Sequence, residues 1–186
     1  MKMWWKNEAS DPDIRLVAEA KKGSRSAFDS LCRAHEKPLR GFVVRRLGSG
    51  SADDVLQEVW IACWTGLSQF KESSRFKAWL YGIATHKCGD YIRKDARDPS
   101  VYDETLLNAA PAPDDYHDVD QKLMILSALA QLPLNQREVV ELYYYAELTL
   151  AEIAAALDRN LNTVKYQLYR AHDQMAVYLK PEDSIK

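Results

Sequence analysis

Residues 149–172 read TLAEIAAALDRNLNTVKYQLYRAH. Thr149 followed by Glu152 has the form of a capping box, so a short helix should open there and run over Leu150 to Leu157. Ile153, Ala154 and Leu157 give that helix an apolar side, and Val164 and Leu168, four apart, anchor a second helix that continues through Ala171, Met175 and Leu179. About four residues separate the two, which is the spacing of a helix-turn-helix. Asn162, Thr163, Lys165, Tyr166, Gln167, Tyr169 and Arg170 are then candidates for the outer face of the second helix, and no carboxylate follows until Asp173. A face of that kind suits a polyanion. Lys165 and Arg170 can neutralise phosphates, the helix N-terminus near Asn162 and Thr163 can donate to a phosphate oxygen, and Gln167 is expected to read a base edge in the major groove. A helical hairpin with a solvated polar face is the bland alternative.

Working upstream, Leu123, Ile125, Leu126, Leu129 and Leu132 show helical spacing until Pro133. Asn135 with Glu138 predicts the cap of the next helix, whose core face is Val139, Val140, Leu142 and Tyr143. These four helices make a C-terminal domain over 121–180. Residues 98–120, rich in Asp, Pro and Ala and without apolar periodicity, read as a flexible acidic linker. Before it, over 12–97, Ile14, Val17 and Ala20, then Phe28, Leu31, Cys32, His35, Leu39, Phe42, Val43 and Leu47, again recur at helical spacing. Pro38 should break or kink the second of these helices near His35 to Lys37. Ser51 with Asp54 predicts the cap of a helix from Ala52 to about Gly66. After a loop around Ser68 to Ser74, a long basic helix should carry a buried stripe of Phe76, Trp79, Leu80, Ile83, Ala84, Cys88, Tyr91 and Ile92. The expected fold is all-α, two small helical domains joined by the linker.

Composition fits this reading. The chain has 186 residues, 47% of them hydrophobic, enough for one large core or two small ones. A net charge of -2 conceals acidic clusters at Asp53 to Glu58 and Asp98 to Asp120 and basic ones at Lys71 to Arg97 and Arg159 to Arg170. Three widely spaced cysteines suggest neither a disulfide framework nor a zinc knuckle, and fit a reducing cytoplasm as small core residues. MKMWWKNEAS offers no signal-peptide core, and no stretch is long enough for membrane insertion. The four histidines lack metal-ligand spacing, His35 reads as a structural residue, and no nucleophile elbow or phosphate loop is present, so no metal, cofactor or enzymatic activity is expected.

The segment ALAQLPLNQREVVELYYYAELTLAEIAAALDRNLNTVKYQLYRAH resembles region 4 of the sigma-70 family of bacterial RNA polymerase factors. ADDVLQEVWIACW resembles region 2.2, and FKAWLYGIATHKCGDYIRKDAR regions 2.3 and 2.4, of its extracytoplasmic-function group. The order and spacing match over nearly all of Asp13 to Leu179, and the short linker with no third domain is that group's arrangement. The resemblance implies that the chain binds RNA polymerase core, at the clamp helices and flap of the large subunits, and recognises and helps melt promoter DNA. An anti-sigma factor is a further expected partner, one that could hold the otherwise cytoplasmic chain at the inner membrane.

Carried over residue by residue, the resemblance assigns core polymerase binding to Asp53, Asp54, Gln57, Glu58 and Trp60. The acids among them could instead only complement the helix dipole. It assigns the minus-ten element to Lys71, Ser74, Arg75, Lys77, His86, Lys87, Asp90, Arg93, Lys94 and Arg97, for which a solvated basic face is the alternative, while Phe76 and Trp79 read as core rather than stacking platforms. The minus-thirty-five element falls to Asn162, Thr163, Lys165, Tyr166, Gln167, Tyr169 and Arg170. The linker acids would imitate an RNA backbone in the polymerase's RNA exit path. Departures from the family pattern are Asp158 and Asn162 in place of glycines, Tyr166-Gln167 for a common Ser-Arg, and His172 for a terminal Arg. They predict a weaker phosphate contribution and an atypical sequence preference. The rivals are a stand-alone helix-turn-helix regulator, which would not need the acidic helix, and an inhibitor-binding decoy, which would not need the basic one.

Overall fold

The computed structural model describes residues 11–71, 75–95 and 124–179, so the N-terminal decapeptide, Ser74, Arg97 and the expected linker over 98–120 lie outside the described residues. Those described form two helical domains and no strand.

The first domain holds α1 (Ile14–Lys21), α2 (Arg25–Leu47), α3 (Ser49–Gly66) with a following 3-10 turn (Leu67–Gln69), and α4 (Phe76–Asp95). Ser24 caps α2 by accepting from the Ala27 N–H. Gly48, at φ 78, closes α2 and opens α3 without a break, a conformation that costs glycine little. The apolar stripes meet as the periodicity requires, with Val17, Leu31, Leu39, Phe42, Val59, Phe76 and Leu80 all fully buried. Each such aliphatic or aromatic side chain contributes about 1.5–3 kcal/mol relative to exposure.

Three expectations fail here. The break expected at Pro38 is absent: the proline lies inside α2, because His35 and Leu39 on either side of it are both held in the core and outweigh the one hydrogen bond the ring removes. Ser51 is not the cap of α3, which begins three residues before Ala52 at Ser49; the Ser51 hydroxyl instead pairs with the Tyr91 hydroxyl of α4 at 2.7 Å. Ile92, expected in the buried stripe of α4, is exposed, and Tyr81, outside that expected stripe, is buried.

The second domain holds residues 124–130 as α5, then α6 (Leu134–Tyr144), α7 (Leu150–Ala156) and α8 (Leu161–Tyr178). Leu129, Val139, Leu142, Ile153, Val164 and Ala171 fill its core, and Pro133 separates α5 from α6. Asn135 does not cap α6; Pro133 occupies that position, and Glu138 is turned inward to arginines. Tyr143, expected on the core face of α6, is exposed.

The domains are not separate bodies. α4 packs against α7, the buried apolar residues of both domains form one continuous cluster, and Arg46 of α2 reaches Glu138 and Glu141 of α6.

Candidate nucleic-acid interface

The helix-turn-helix is built as its sequence specifies. Thr149 accepts from the Glu152 N–H while Glu152 accepts from the Thr149 N–H at 2.8 Å, so the capping box of α7 is complete. Asp158 takes the left-handed conformation, φ 49, where a glycine is otherwise favoured; Asp enters it at modest cost. Asn160 then caps α8, accepting from the Asn162 N–H at 2.8 Å. Val164, Leu168 and Ala171 face inward, and Asn162, Thr163, Lys165, Tyr166, Tyr169 and Arg170 are all exposed along the other side. Tyr166 and Tyr169 are 64% and 65% exposed, so two phenol rings stand out from that side of the helix.

Gln167 departs from the expected outer face. It is buried, and its Oε1 accepts from Arg159 Nη1 at 3.3 Å. The spacing explains this, since a residue three after Val164 and one before Leu168 lies on their side of the helix. Arg159 was not anticipated. From the turn it also donates to the Asn135 carbonyl and pairs with Glu138, tying α8 to α6. The one signal for it was position, a long cation in a turn that must join two helices.

On α3, Asp53, Asp54, Gln57 and Glu58 are exposed on one face, with Asp53 paired to Arg40 of α2. Trp60 is only partly exposed; its ring meets Phe28 edge to face at 6.2 Å, and its Nε1 is buried with no partner among the described residues. On α4, His86, Asp90, Arg93 and Lys94 are exposed, Asp90 pairs with Arg93, and Lys87 pairs with Glu58 at 3.1 Å. The candidate polymerase and minus-ten faces therefore adjoin. At the other end of α4, Lys71 and Arg75 are exposed and Lys77 is half-buried. Phe76 and Trp79 pack with Phe70 in the core, as their spacing predicts, and Lys21 holds the Phe70 carbonyl at 2.7 Å. Asp11 accepts from the Phe76 N–H at 2.6 Å, fixing the start of α4.

His35 is buried and paired through Nε2 with Asp13 at 2.7 Å, a satisfied structural histidine. Burial pushes the Cys63 and Cys88 thiols up to about 12, as suits core groups, and burial with Asp29 and Glu36 nearby raises the half-buried Cys32 to about 11, so all three favour the neutral thiol. Among the described residues no cluster of histidine, cysteine or carboxylate groups could hold a metal ion, and no helix is long and apolar enough to cross a membrane.

Residues 31–98 match the model of Sigma-70 region 2, and residues 122–175 that of Sigma-70, region 4. Among curated relatives, the ECF RNA polymerase sigma factor SigW of Bacillus subtilis is 26% identical, covering 89% of this chain and 96% of the relative. The ECF RNA polymerase sigma-E factor of Escherichia coli K12 is also 26% identical, covering 91% and 95%. The chain belongs to the extracytoplasmic-function sigma-70 factors. It is an RNA polymerase sigma factor, of a family whose members named here are not enzymes. The solved structure of CnrH in complex with the cytosolic domain of CnrY is 26% identical to this sigma factor, with TM-score 0.69 over 90% of this chain and 96% of that one. RpoE of Bartonella quintana, solved with the anti-sigma factor NepR, shares the fold at 24% identity, TM-score 0.71, over 83% and 98%.

Proposed function

We propose that this sigma factor holds RNA polymerase core through the exposed face of α3, engages the melted minus-ten strand with the cations of α4 and the segment before it, and lays α8 in the major groove of the minus-thirty-five element. The observation that carries this reading is the outer face of α8. Its exposed residues from Asn162 to Arg170 include two cations and no carboxylate, and its N-terminus is capped by a neutral side chain. Such a surface attracts phosphates and offers donors and phenol rings to base edges. Gln167 has no part in base reading; with Arg159 it holds the angle at which α8 is presented. Asp53, Asp54, Gln57 and Glu58 supply carboxylates and an amide for arginines on the clamp. Arg93 and Lys94 supply cations, and His86 a ring that can hydrogen-bond, for the displaced strand.

On this reading the protein acts by binding, in the cytoplasm where the template is, and makes or breaks no bond itself. A protein partner that engages the folded chain also belongs to it, supported by the pairing of CnrH with the cytosolic domain of CnrY. The test is in vitro transcription with purified core polymerase on a library of genomic fragments, with start sites mapped by sequencing. A discrete set of starts that depends on the added chain, and is lost with Lys165→Ala plus Arg170→Ala, is the expected result. No factor-dependent start on any fragment would overturn the proposal.

A further inference from the structure

Tyr144 is the last residue of α6 and is 55% exposed, yet its hydroxyl is engaged. It meets Nε2 of His172 on α8 at 2.9 Å, and the two rings lie 5.8 Å apart between centroids. Tyr143 packs edge to face on Tyr144 at 5.0 Å, which limits how far that ring can turn. The helices do not need this bond to stay together. Val139 and Leu142 of α6 and Val164, Leu168 and Ala171 of α8 already join them in the core. A hydrogen bond between two solvent-facing side chains adds little to such a contact.

The place of the pair on α8 says more. Lys165, Tyr169 and His172 follow one another at intervals of four and three, so they share one line on the helix surface, the side assigned above to promoter DNA. His172 continues that line, and Tyr144 widens it onto a second helix. Height along the axis then selects a part of the duplex. A helix that enters the major groove by its N-terminal turn sets its first residues at the base edges. From Asn162 to His172 the axis rises about 15 Å at about 1.5 Å per residue, and the groove is about 8.5 Å deep. His172, almost three turns on, therefore comes out at the rim, beside the sugar-phosphate backbone.

The hydrogen-bond inventory of the pair suits that neighbour. Among the described residues the His172 ring and the Tyr144 hydroxyl have no partner but each other. A neutral imidazole carries one N–H and a phenol one O–H. If Tyr144 donates to Nε2, the Nδ1–H is left over; if Nε2–H donates to the phenol oxygen, the hydroxyl proton is left over. Either way one donor remains for an external acceptor, and a protonated ring leaves two. The charges beside His172 on its own helix are Arg170 and Asp173, both exposed and of opposite sign. On α6, Glu141 lies one turn before Tyr144 but is buried against Arg46 and Arg137, so it does not compete.

We propose that Tyr144 and His172 form a clasp for one DNA phosphate at the rim of the minus-thirty-five major groove, which adds the end of α6 to the DNA-contacting surface. The proposal rests on the minus-thirty-five reading of α8 given above.

The test measures binding of the full chain, assembled with core polymerase, to a promoter identified by the start-site mapping above. Each phosphate of the minus-thirty-five element is replaced in turn by an uncharged methylphosphonate. In the parent, one position at the edge of the element should weaken binding about fivefold, the order of one hydrogen bond. Tyr144→Phe and His172→Ala should each bind about fivefold more weakly and lose the response at that position while keeping it elsewhere. His172→Arg should keep the response and steepen the slope of log affinity against log salt by up to about 0.9, since a full cation then meets the phosphate. Urea unfolding of the same variants reads what the pair contributes to stability. A lower urea midpoint with an unchanged phosphate profile would overturn the proposal, because the bond then only ties α6 to α8. So would parent-like affinity in Tyr144→Phe and His172→Ala. If scrambling the minus-thirty-five element leaves the parent's affinity unchanged, the reading of α8 itself falls, and the clasp with it.

Discussion

Cys63, Cys88 and Tyr81 are all buried in the first domain, and burial raises each of them, the thiols from 9.0 and the phenol from 10.0, to about 12. Their neutral forms are the ones the folded chain accepts. The stability they contribute is therefore complete below pH 9, where the unfolded chain is also protonated, and is lost as pH rises through about 12. The urea midpoint should be flat between pH 7 and 8.5 and should fall steadily above pH 9. Replacing Cys63 and Cys88 with alanine should reduce the thiol part of that decline, leaving the smaller Cys32 part and the later Tyr81 part. A midpoint unchanged to pH 11 in the parent would contradict the burial argument. Thr149→Ala removes the hydroxyl half of a complete capping box and should cost about 1 kcal/mol, read as a lower urea midpoint at unchanged slope. That box was legible because it is a local pattern with a local cause, whereas the place of Asp158 in the turn was marked only by the glycine that the family has there. The caps expected at Ser51 and Asn135 followed the same rule and failed, Ser51 because Tyr91 offers its hydroxyl a partner across the domain and Asn135 because Pro133 begins the helix before it.

Among whole elements, α2 shows where tertiary packing overrides propensity. Pro38 deprives the Ala34 carbonyl of its helical partner, yet the helix continues for nine residues beyond it. Pro38→Ala should restore that bond and stabilise the chain by up to about 3 kcal/mol, measured by urea unfolding; a loss of stability would mean that the proline's shape is itself packed against. The apolar stripe of α2 was readable from its period, but the outcome at Pro38 depended on burial on both sides, which a single helix does not reveal. α8 gives the complementary case. Its inward face was set by Val164 and Leu168, and the same geometry, applied to Gln167, would have turned that residue inward too. The outward residues make a quantitative prediction. On duplex carrying the minus-thirty-five element, Lys165→Ala and Arg170→Ala should each reduce the slope of log affinity against log salt by about 0.9, with little change in sequence preference. Tyr166→Ala should change preference and leave the slope as it was, since a phenol carries no counterion to release.

The two-domain, all-helical plan follows from periodicity and from the composition of residues 98–120, but the contact between the domains does not. Arg46 and Glu141 are 95 positions apart, and a buried ion pair has no period; the only trace in the sequence is a charge placed in phase with an apolar stripe. What the sequence does carry at this scale is length. Residues 96–123 join α4 to α5, and fully extended they reach about 95 Å at about 3.4 Å per residue. The elements lie roughly 85 Å apart, and each domain covers roughly 15 Å of that distance itself, which leaves roughly 55 Å for the connection. The natural length exceeds the need, so the chain need not be taut. Deleting residues 101–116 would leave a reach of about 40 Å, short of the gap. That variant should still associate with core polymerase and bind each element on a separate duplex. It should fail to initiate at promoters of ordinary spacing and regain initiation when the spacer is shortened by one helical turn of DNA, which brings the elements about 35 Å closer. Transcription from a set of templates differing only in spacer length reads this directly. Undiminished initiation at the ordinary spacing would show that the polymerase bends the template or draws the domains together, so that reach does not limit the factor.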